Sequence, residues 1–503
     1  MISRSGVIVV SLLYLITLSP CNLLAQTWKG GVQLQTGVTS NKTVPFWLRT
    51  NQYGSVPVDG FSGSVNAQVQ RTYRYIDTVL WKPDFSTSFQ SRVNIGEQTQ
   101  IQFIEAKLSL KYGFLEFVAG REKEHSGLVD STLSTGSFSL SGNALGIPKV
   151  EARIPAYQTV PYTKQLFAVK GNFALGAMGK VPIHYGQNQG DNVNAYYHHL
   201  SFYGRLGKPR WRLKLEGAIN HDVIWGSDKH IFGEQYDLNA MEAIWYVVTG
   251  KGYRGADNFD GRLDISKIGN HLGTLDLGLT YDFNALELKL YHQFFYDKGA
   301  LRYLANVRDG LNGLSLRNKR QANSAFRWEK ILLEFFNSKD QGGQFGAPWT
   351  PSGPEYYYNH GVYSEGYSYK GRSIGTPLIV PAKDVREGMA HNPKDFFVST
   401  RVSAFHLGIE SIVANWRTQA KLTYARHYGD YHTSGPQEQW FNGQRIPQDF
   451  SYGLFEPVNQ LSYYLNGTTT IGNRIDLSFA VAGDSGRLFQ NSIGGYIGVG
   501  KRF

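Results

Sequence analysis

Cysteine is all but missing from this chain of 503 residues: Cys21 is the only one. It lies in a stretch that reads as an export signal, so disulfides cannot hold the remainder together. Pro20, directly before it, is a poor fit to a lipoprotein cleavage site, where a small residue belongs. Long apolar runs are lacking too. Val7 to Leu18 is short for a membrane helix, and no later stretch reaches the roughly 18 residues a spanning helix needs. Methionine is scarce, at 4 residues against 56 glycines and 31 tyrosines. Acidic residues are outnumbered, 40 against 51 basic ones, which leaves a net charge of +11. Such a surplus could suit nucleic acid, but a chain exported across the inner membrane meets acidic surface glycans instead.

Residues 1–25 carry the signal pattern: Arg4, the apolar run, then Asn22-Leu23-Leu24-Ala25 with cleavage expected after Ala25. An exported chain without membrane helices is either soluble or a closed barrel in an outer membrane. The mean hydropathy of −0.33 is compatible with the barrel, because only alternate residues would face lipid.

Period-two stripes favour the barrel over a soluble sandwich array. Between Phe61 and Tyr73, Val65, Ala67 and Val69 alternate with Ser64, Asn66, Gln68 and Gln70. Phe85, Phe89, Val93 and Ile95 alternate with Ser86, Ser88, Gln90, Arg92 and Asn94. Phe167 to Leu175, Trp211 to Ile219, Leu275 to Tyr281 and Ile475 to Val481 repeat the pattern, as does Leu286 to Tyr296 with His292 interrupting. At about 9–11 residues per strand, the chain accommodates roughly 16–20 strands. An even count places both termini in the periplasm, and a terminal aromatic such as Phe503 is what the barrel-insertion machinery reads. The expected division is a signal (1–25), an N-terminal strand and plug element (26–59, with a strand near Val32 to Thr36), and an outer-membrane barrel with long loops (60–503). Weakly periodic stretches predict extracellular loops or inward plugs at Asp222 to Asn270, Lys298 to Asn323, Ser338 to His391 and Arg426 to Pro457.

Several stretches, in order, resemble the Wzi-type capsule assembly family of outer-membrane barrels. They include PFWLRTNQYG (Pro45 to Gly54), LSTGSFSLSGNALGIPKV (Leu133 to Val150), VPYTKQLFAVKGNF (Val160 to Phe173), YYYNHGVYSEGYSYKGRSIGTPLI (Tyr356 to Ile379) and YARHYGDY (Tyr424 to Tyr431). The resemblance implies eighteen strands and a periplasmic mouth blocked by N-terminal helical elements. It also implies a lectin-like, non-enzymatic role holding exported capsular polysaccharide at the cell surface. Gln26 to Asp59 is short and partly strand-like where well-understood members carry a helical bundle.

The aromatic loop supplies the candidate glycan contacts: Trp349, Tyr356, Tyr357, Tyr358, Tyr363, Tyr367 and Tyr369. Aromatic faces stack on the apolar faces of sugar rings, and tyrosine hydroxyls can bond sugar hydroxyls. Arg372, Lys383 and Arg386 follow, with Lys370, and guanidinium forks suit the carboxylates of an acidic capsule or exopolysaccharide. Trp440, Phe441 and Arg445 form a second patch. The alternative for each residue is packing of the loop into the lumen, or cations that meet lipopolysaccharide phosphates. Asn143 reads as a turn residue or a sugar contact.

Other motifs carry less. GRSIG (Gly371 to Gly375) spells the nucleophile elbow, but Pro377 follows where a helix is required. His198, His199 and His406 fit strand positions facing the lumen or an aromatic girdle, and no HExxH spacing occurs. Asp257, Asn258, Asp260 and Asp264 fail the EF-hand pattern and leave a loop calcium site open beside a solvated acidic turn. No cofactor or catalytic residue is called for. A porin for small solutes is the alternative function, and an outer-membrane hydrolase a third.

Overall fold

The computed structural model describes residues 28–503, apart from 75–80, 97–98, 186–187, 254–265, 298, 321–323, 343–354, 431, 435–437, 442–443 and 448–450. The expected signal at residues 1–25, Trp349 and the acidic run Asp257 to Asp264 lie outside the described residues.

Eighteen antiparallel strands form one closed sheet. Each barrel strand pairs with its neighbours in the chain, and the first, Trp28–Thr39, closes the ring on the last, Ser492–Arg502. The strand expected near Val32 to Thr36 is thus part of the wall. The seam is tied at its end: Gly30 N donates to Phe503 O and Phe503 N to Gly30 O, both at 3.0 Å. A Cβ on Gly30 would lie 2.4 Å from the Phe503 ring, so the ring rests against bare backbone at that position.

Alternation decides which side chains go where, because successive Cβ atoms point to opposite faces. The outward set is apolar and open: Leu277 is 59% exposed, Phe405 64% and Ile497 65%. The inward set is polar and covered, with Ser64, Arg92, Asn94, Ser201 and Asn220 all buried. A soluble sheet would not leave so continuous an oily wall in water; this is the lipid-facing surface of a transmembrane barrel. Among the described residues, no helix is long and apolar enough to cross a membrane. His292, which breaks its stripe, bonds Asn312 on the adjacent strand at 2.8 Å. A shallow apolar depression of about 870 Å³ flanks that pair, lined by Leu277, Leu290, Leu333, Phe405 and Leu422, and belongs to the lipid-facing wall.

Most connections at the end holding both termini are short, such as Gly113-Phe114 and Ala414-Asn415; the longest ones lie at the other end, which also has the short connections 97–99 and 487–491. The structure corrects one expected loop: Lys298 to Asn323 contains the barrel strand Gly310–Asn318. Asp222 to Asn270 begins inside the strand Leu213–Trp225 and carries the helix Ala240–Thr249, held by an Asn239 and Glu242 capping box. The segment 122–148, full of serine and glycine, is also a long connection. It joins the neighbouring strands Leu115–Arg121 and Lys149–Thr159.

Candidate functional site

Three long-end connections fold inward and fill the barrel. In segment 122–148, small residues bring backbone and hydroxyl groups close to the inner wall. Thr135 N and Ser134 Oγ donate to the Glu334 carboxylate at 2.8 and 2.6 Å, and Tyr291 OH joins them at 2.5 Å. Leu128 N donates to Asp276 at 2.7 Å. Ser139 Oγ reaches Asp222, and Leu133 O pairs with His406 Nε2 at 2.8 Å. These partners sit on five strands of one neighbouring arc of the wall, away from the strands Leu115–Arg121 and Lys149–Thr159 that carry the segment, so it reaches across the lumen to them. Phe138 supplies the apolar centre, stacked on Phe295 with ring centroids 4.1 Å apart.

The connection 40–60 enters beside it. Phe46 N, at the start of the helix Phe46–Arg49, donates to Asp484 Oδ2 at 2.8 Å, and Trp47 Nε1 donates to Thr423 at 3.1 Å. Arg49 and Arg372 share Asp384, at 3.0 and 3.1 Å, which joins this connection to the third segment, 338–401. Burial and the Arg49 guanidinium lower Arg372 to about 10, so it stays charged at neutral pH. This corrects the plug implied by the family resemblance. The short helix follows the first strand, so among the described residues the N-terminal element is a wall strand followed by a connection that enters the lumen from the end opposite the termini, not helices at the mouth that holds the termini.

The aromatic loop is the largest correction. Tyr357, Tyr358, Tyr363, Tyr367 and Tyr369 are buried and present no open ring face to a sugar. Their hydroxyls knit the plug: Tyr357 to Asp309 at 3.0 Å, Tyr358 to Phe138 O at 2.5 Å, Tyr363 to Gly226 O at 3.1 Å and Tyr367 to Ser139 O at 2.9 Å. Tyr369 OH accepts from Arg121 at 3.3 Å. Gly375 is required here, because a Cβ would stand 1.9 Å from Tyr358 OH and 2.0 Å from Phe138 O. The physical reason is size: a wide barrel needs bulky side chains to fill it, and tyrosine brings an apolar ring and a hydroxyl that can be satisfied inside.

The remaining candidates are distributed unevenly. Tyr356 is half-buried, with its hydroxyl on Asp395 and on His432 Nδ1. Arg372 is buried, whereas Lys370 and Lys383 are exposed. Arg386 is half-buried; it donates to Phe489 O at 2.7 Å and Gly486 O at 3.0 Å. It also lines a groove of about 430 Å³ with Glu387, Leu454, Phe455, Glu456 and Arg487. Trp440 and Arg445 are paired in backbone register in a two-stranded ribbon, Glu438–Phe441 with Gln444–Pro447.

Asn143 is buried and structural: its Nδ2 donates to Ser373 Oγ at 2.9 Å, and its Oδ1 accepts from Asn51 N at 3.3 Å. Ser373 is fully buried in a small hairpin with Ser368-Tyr369, without the elbow's strand–turn–helix setting. A second serine carries a contact chain that the linear sequence hides. Ser201 Oγ lies 3.1 Å from His199 Nε2, and His199 Nδ1 lies 2.7 Å from Asp222. Register places these three on paired strands. All three are buried, and Ser201 also donates to Asn220 at 2.9 Å, so the group braces the inner wall.

Asp309 yields a pH test of the plug. It accepts from Asp340 N at 2.8 Å, Gln341 N at 2.7 Å and Tyr357 OH. Burial nonetheless pushes its carboxyl up to about 7. An acid raised on folding holds its proton better in the folded form. Its contribution is therefore full below the unfolded value of about 4 and lost as pH climbs through 7. Opening of residues 338–342, read by hydrogen exchange corrected for intrinsic rates, should be rarer at pH 5 than at pH 8. The difference should be on the order of a few kcal/mol. Asp309→Asn should flatten that dependence, and an unchanged slope in the variant would assign it elsewhere.

No family model matches the chain, and no curated protein matches it. Among solved structures, the fold is similar to Wzi, described as an outer-membrane protein involved in group 1 capsule assembly in Escherichia coli and a carbohydrate-binding β-barrel. That likeness has 12% identity, covers 99% of this chain and 88% of the other, and has a TM-score of 0.55. OccAB4 of Acinetobacter baumannii follows at 10% identity, with 96% and 100% coverage and a TM-score of 0.43. OccD3 of Pseudomonas aeruginosa stands at 10% identity, with 95% and 91% coverage and a TM-score of 0.40. At these identities the likeness is one of fold, and the Wzi-type barrel expected from the sequence is matched at that level.

Proposed function

We propose that this barrel lies in the outer membrane with its long connections facing outward, and that it holds an exported acidic capsular or exopolysaccharide at the cell surface. The observation that carries this reading is the plug: the described residues of segments 40–60, 122–148 and 338–401 occupy the lumen with buried pairs, which favours the long-end surface as the place where a polymer is met. That surface exposes Lys370 and Lys383, and Arg386 and Arg487 line its groove. Guanidinium forks pair with carboxylates in two-point contacts. Trp349, Tyr356, Trp440 and Arg445 complete the proposed contact set, and the buried tyrosines build the platform beneath. Each contact is weak, and a long glycan spanning several copies gains avidity from its repeats. The Wzi description as a carbohydrate-binding barrel supports the same reading. Lipopolysaccharide and lipid are proposed to meet the outer wall, and the insertion machinery the Phe503 end.

A porin is the second reading. It is favoured by a polar chamber of about 710 Å³ near the short-turn end, lined by Gln33, Asn66, Gln68, Arg417 and Thr468. The plug opposes it. A glycan array with purified protein tests the first reading. Binding to acidic polysaccharides is expected and should fall at least about tenfold when Lys383 and Arg386 are both changed to Ala, the effect of roughly 1.4 kcal/mol. Absence of binding to any acidic polymer would remove the function. Unchanged binding in the variant would remove this contact set.

A further inference from the structure

We propose that Asp395, Asp430 and His432 bind one divalent transition-metal ion of the zinc class, clamping two long connections together. Asp395 belongs to segment 338–401, just before the short strand Phe397–Ser399. Asp430 and His432 belong to segment 428–457, just after the barrel strand Trp416–His427. One potential ligand atom from each of the three lies within 4.8 Å of the others. Asp395 Oδ2 and His432 Nδ1 are 3.4 Å apart. That is the edge of a tetrahedron whose corners stand about 2.1 Å from the centre, the length of zinc–nitrogen and zinc–oxygen bonds.

An independent observation on Asp430 points to a missing ligand. Its Oδ1 is saturated by His432 N at 2.8 Å, Thr433 N at 2.9 Å and Thr433 Oγ1 at 2.9 Å, which fixes the carboxylate's orientation. Its Oδ2 is closed off from solvent and has no hydrogen-bond partner, and the residue is fully buried. A carboxylate oxygen enclosed in this way beside a second acid is costly unless a cation or a proton answers it.

The donor set selects the class. Calcium and magnesium take oxygen ligands, whereas an imidazole with two carboxylates suits zinc and its neighbours. The His432 side chain is 38% exposed and the Asp395 side chain 5%, so one side opens to water for entry and for a fourth ligand. Tyr356 OH touches both proposed ligand atoms, donating to Asp395 Oδ2 and lying 2.9 Å from His432 Nδ1; an ion would displace it from Nδ1 and leave it on the Asp395 carboxylate as an outer contact that orients a metal-binding group. The other carboxylate grouping, Glu122, Glu124 and Glu151, differs because Lys107, Lys149 and Arg153 already neutralise it.

The test is calorimetric titration of zinc chloride, and separately calcium chloride, into the purified full-length barrel in detergent after chelator treatment. One saturable zinc site is expected, with weaker calcium binding. Binding should be lost in Asp430→Asn and His432→Gln. It should weaken by about 10–100-fold in Tyr356→Phe, the range for outer contacts to metal ligands. Heat-modifiable gel mobility would confirm that each variant keeps its barrel; His432, at the surface, is the variant least tied to folding. No saturable zinc uptake by the folded wild type, zinc affinity unchanged in His432→Gln, or calcium bound as tightly as zinc would each overturn the site.

Discussion

Removing residues 127–146 and joining 126 to 147 with a short glycine-serine linker is expected to turn a silent barrel into a steadily open one in planar bilayers. The wall should survive. Leu115–Arg121 and Lys149–Thr159 pair directly with each other, so the linker joins neighbouring strands and needs no segment across the lumen. The plug should not survive. Its centre would lose Phe138 from the stack with Phe295 and with Tyr358, and the hydroxyls of Tyr358 and Tyr367 would lose their backbone acceptors at Phe138 and Ser139. What remains facing the lumen is polar and wettable: Asp222, Asp276, Gln293 and Glu334. If the intact protein already conducts as well as the deletion variant, the lumen is not shut and the porin reading takes precedence.

Glu334→Ala should have the second-largest effect, on the order of 4 kcal/mol against docking of the plug, since each buried donor left unpaired costs about 1–3 kcal/mol and the losses do not simply add. The carboxylate gathers Ser134 Oγ, Thr135 N, Thr135 Oγ1 and Tyr291 OH in a site shut off from water. Truncation leaves those donors facing a void that alanine cannot fill. The barrel wall does not depend on this side chain, so the loss should appear as proteolysis within residues 126–141 and faster amide exchange at Thr135, with heat-modifiable mobility retained. Glu334→Gln, which keeps one acceptor oxygen, should fall between the two. Equal protection of Thr135 in wild type and the alanine variant would show that other contacts hold the segment.

Much of the wall was legible because its chemistry is written in period two. Phe85, Phe89 and Ile95 face outward and Gln90, Arg92 and Asn94 inward, following their alternation. The strand Gly310–Asn318 was harder to see, because Leu311 faces inward and Asn312 outward, against the alternation of Leu314 and Leu316, and its inward positions include Gly313. That glycine makes room for the Tyr291 ring, which would lie 2.0 Å from a Cβ there. The plug was least legible. Ser134, Ser137 and Ser139 look like ordinary loop residues until the wall brings Glu334, Gln293 and Asp222 to them from up to 200 positions away. Tyrosines suited to stacking on sugars are equally suited to filling a wide lumen, and composition cannot separate the two uses.

The amino-acid order alone decided that this chain would bury a polar face and expose an oily one, because alternation is local and each residue's side follows from its neighbour's. Only the closed ring decided which long connections turn inward, which tyrosines lose their faces, and that Asp395 meets Asp430 and His432. Those choices depend on distances across a lumen, and such distances exist only once the first strand has paired with the last.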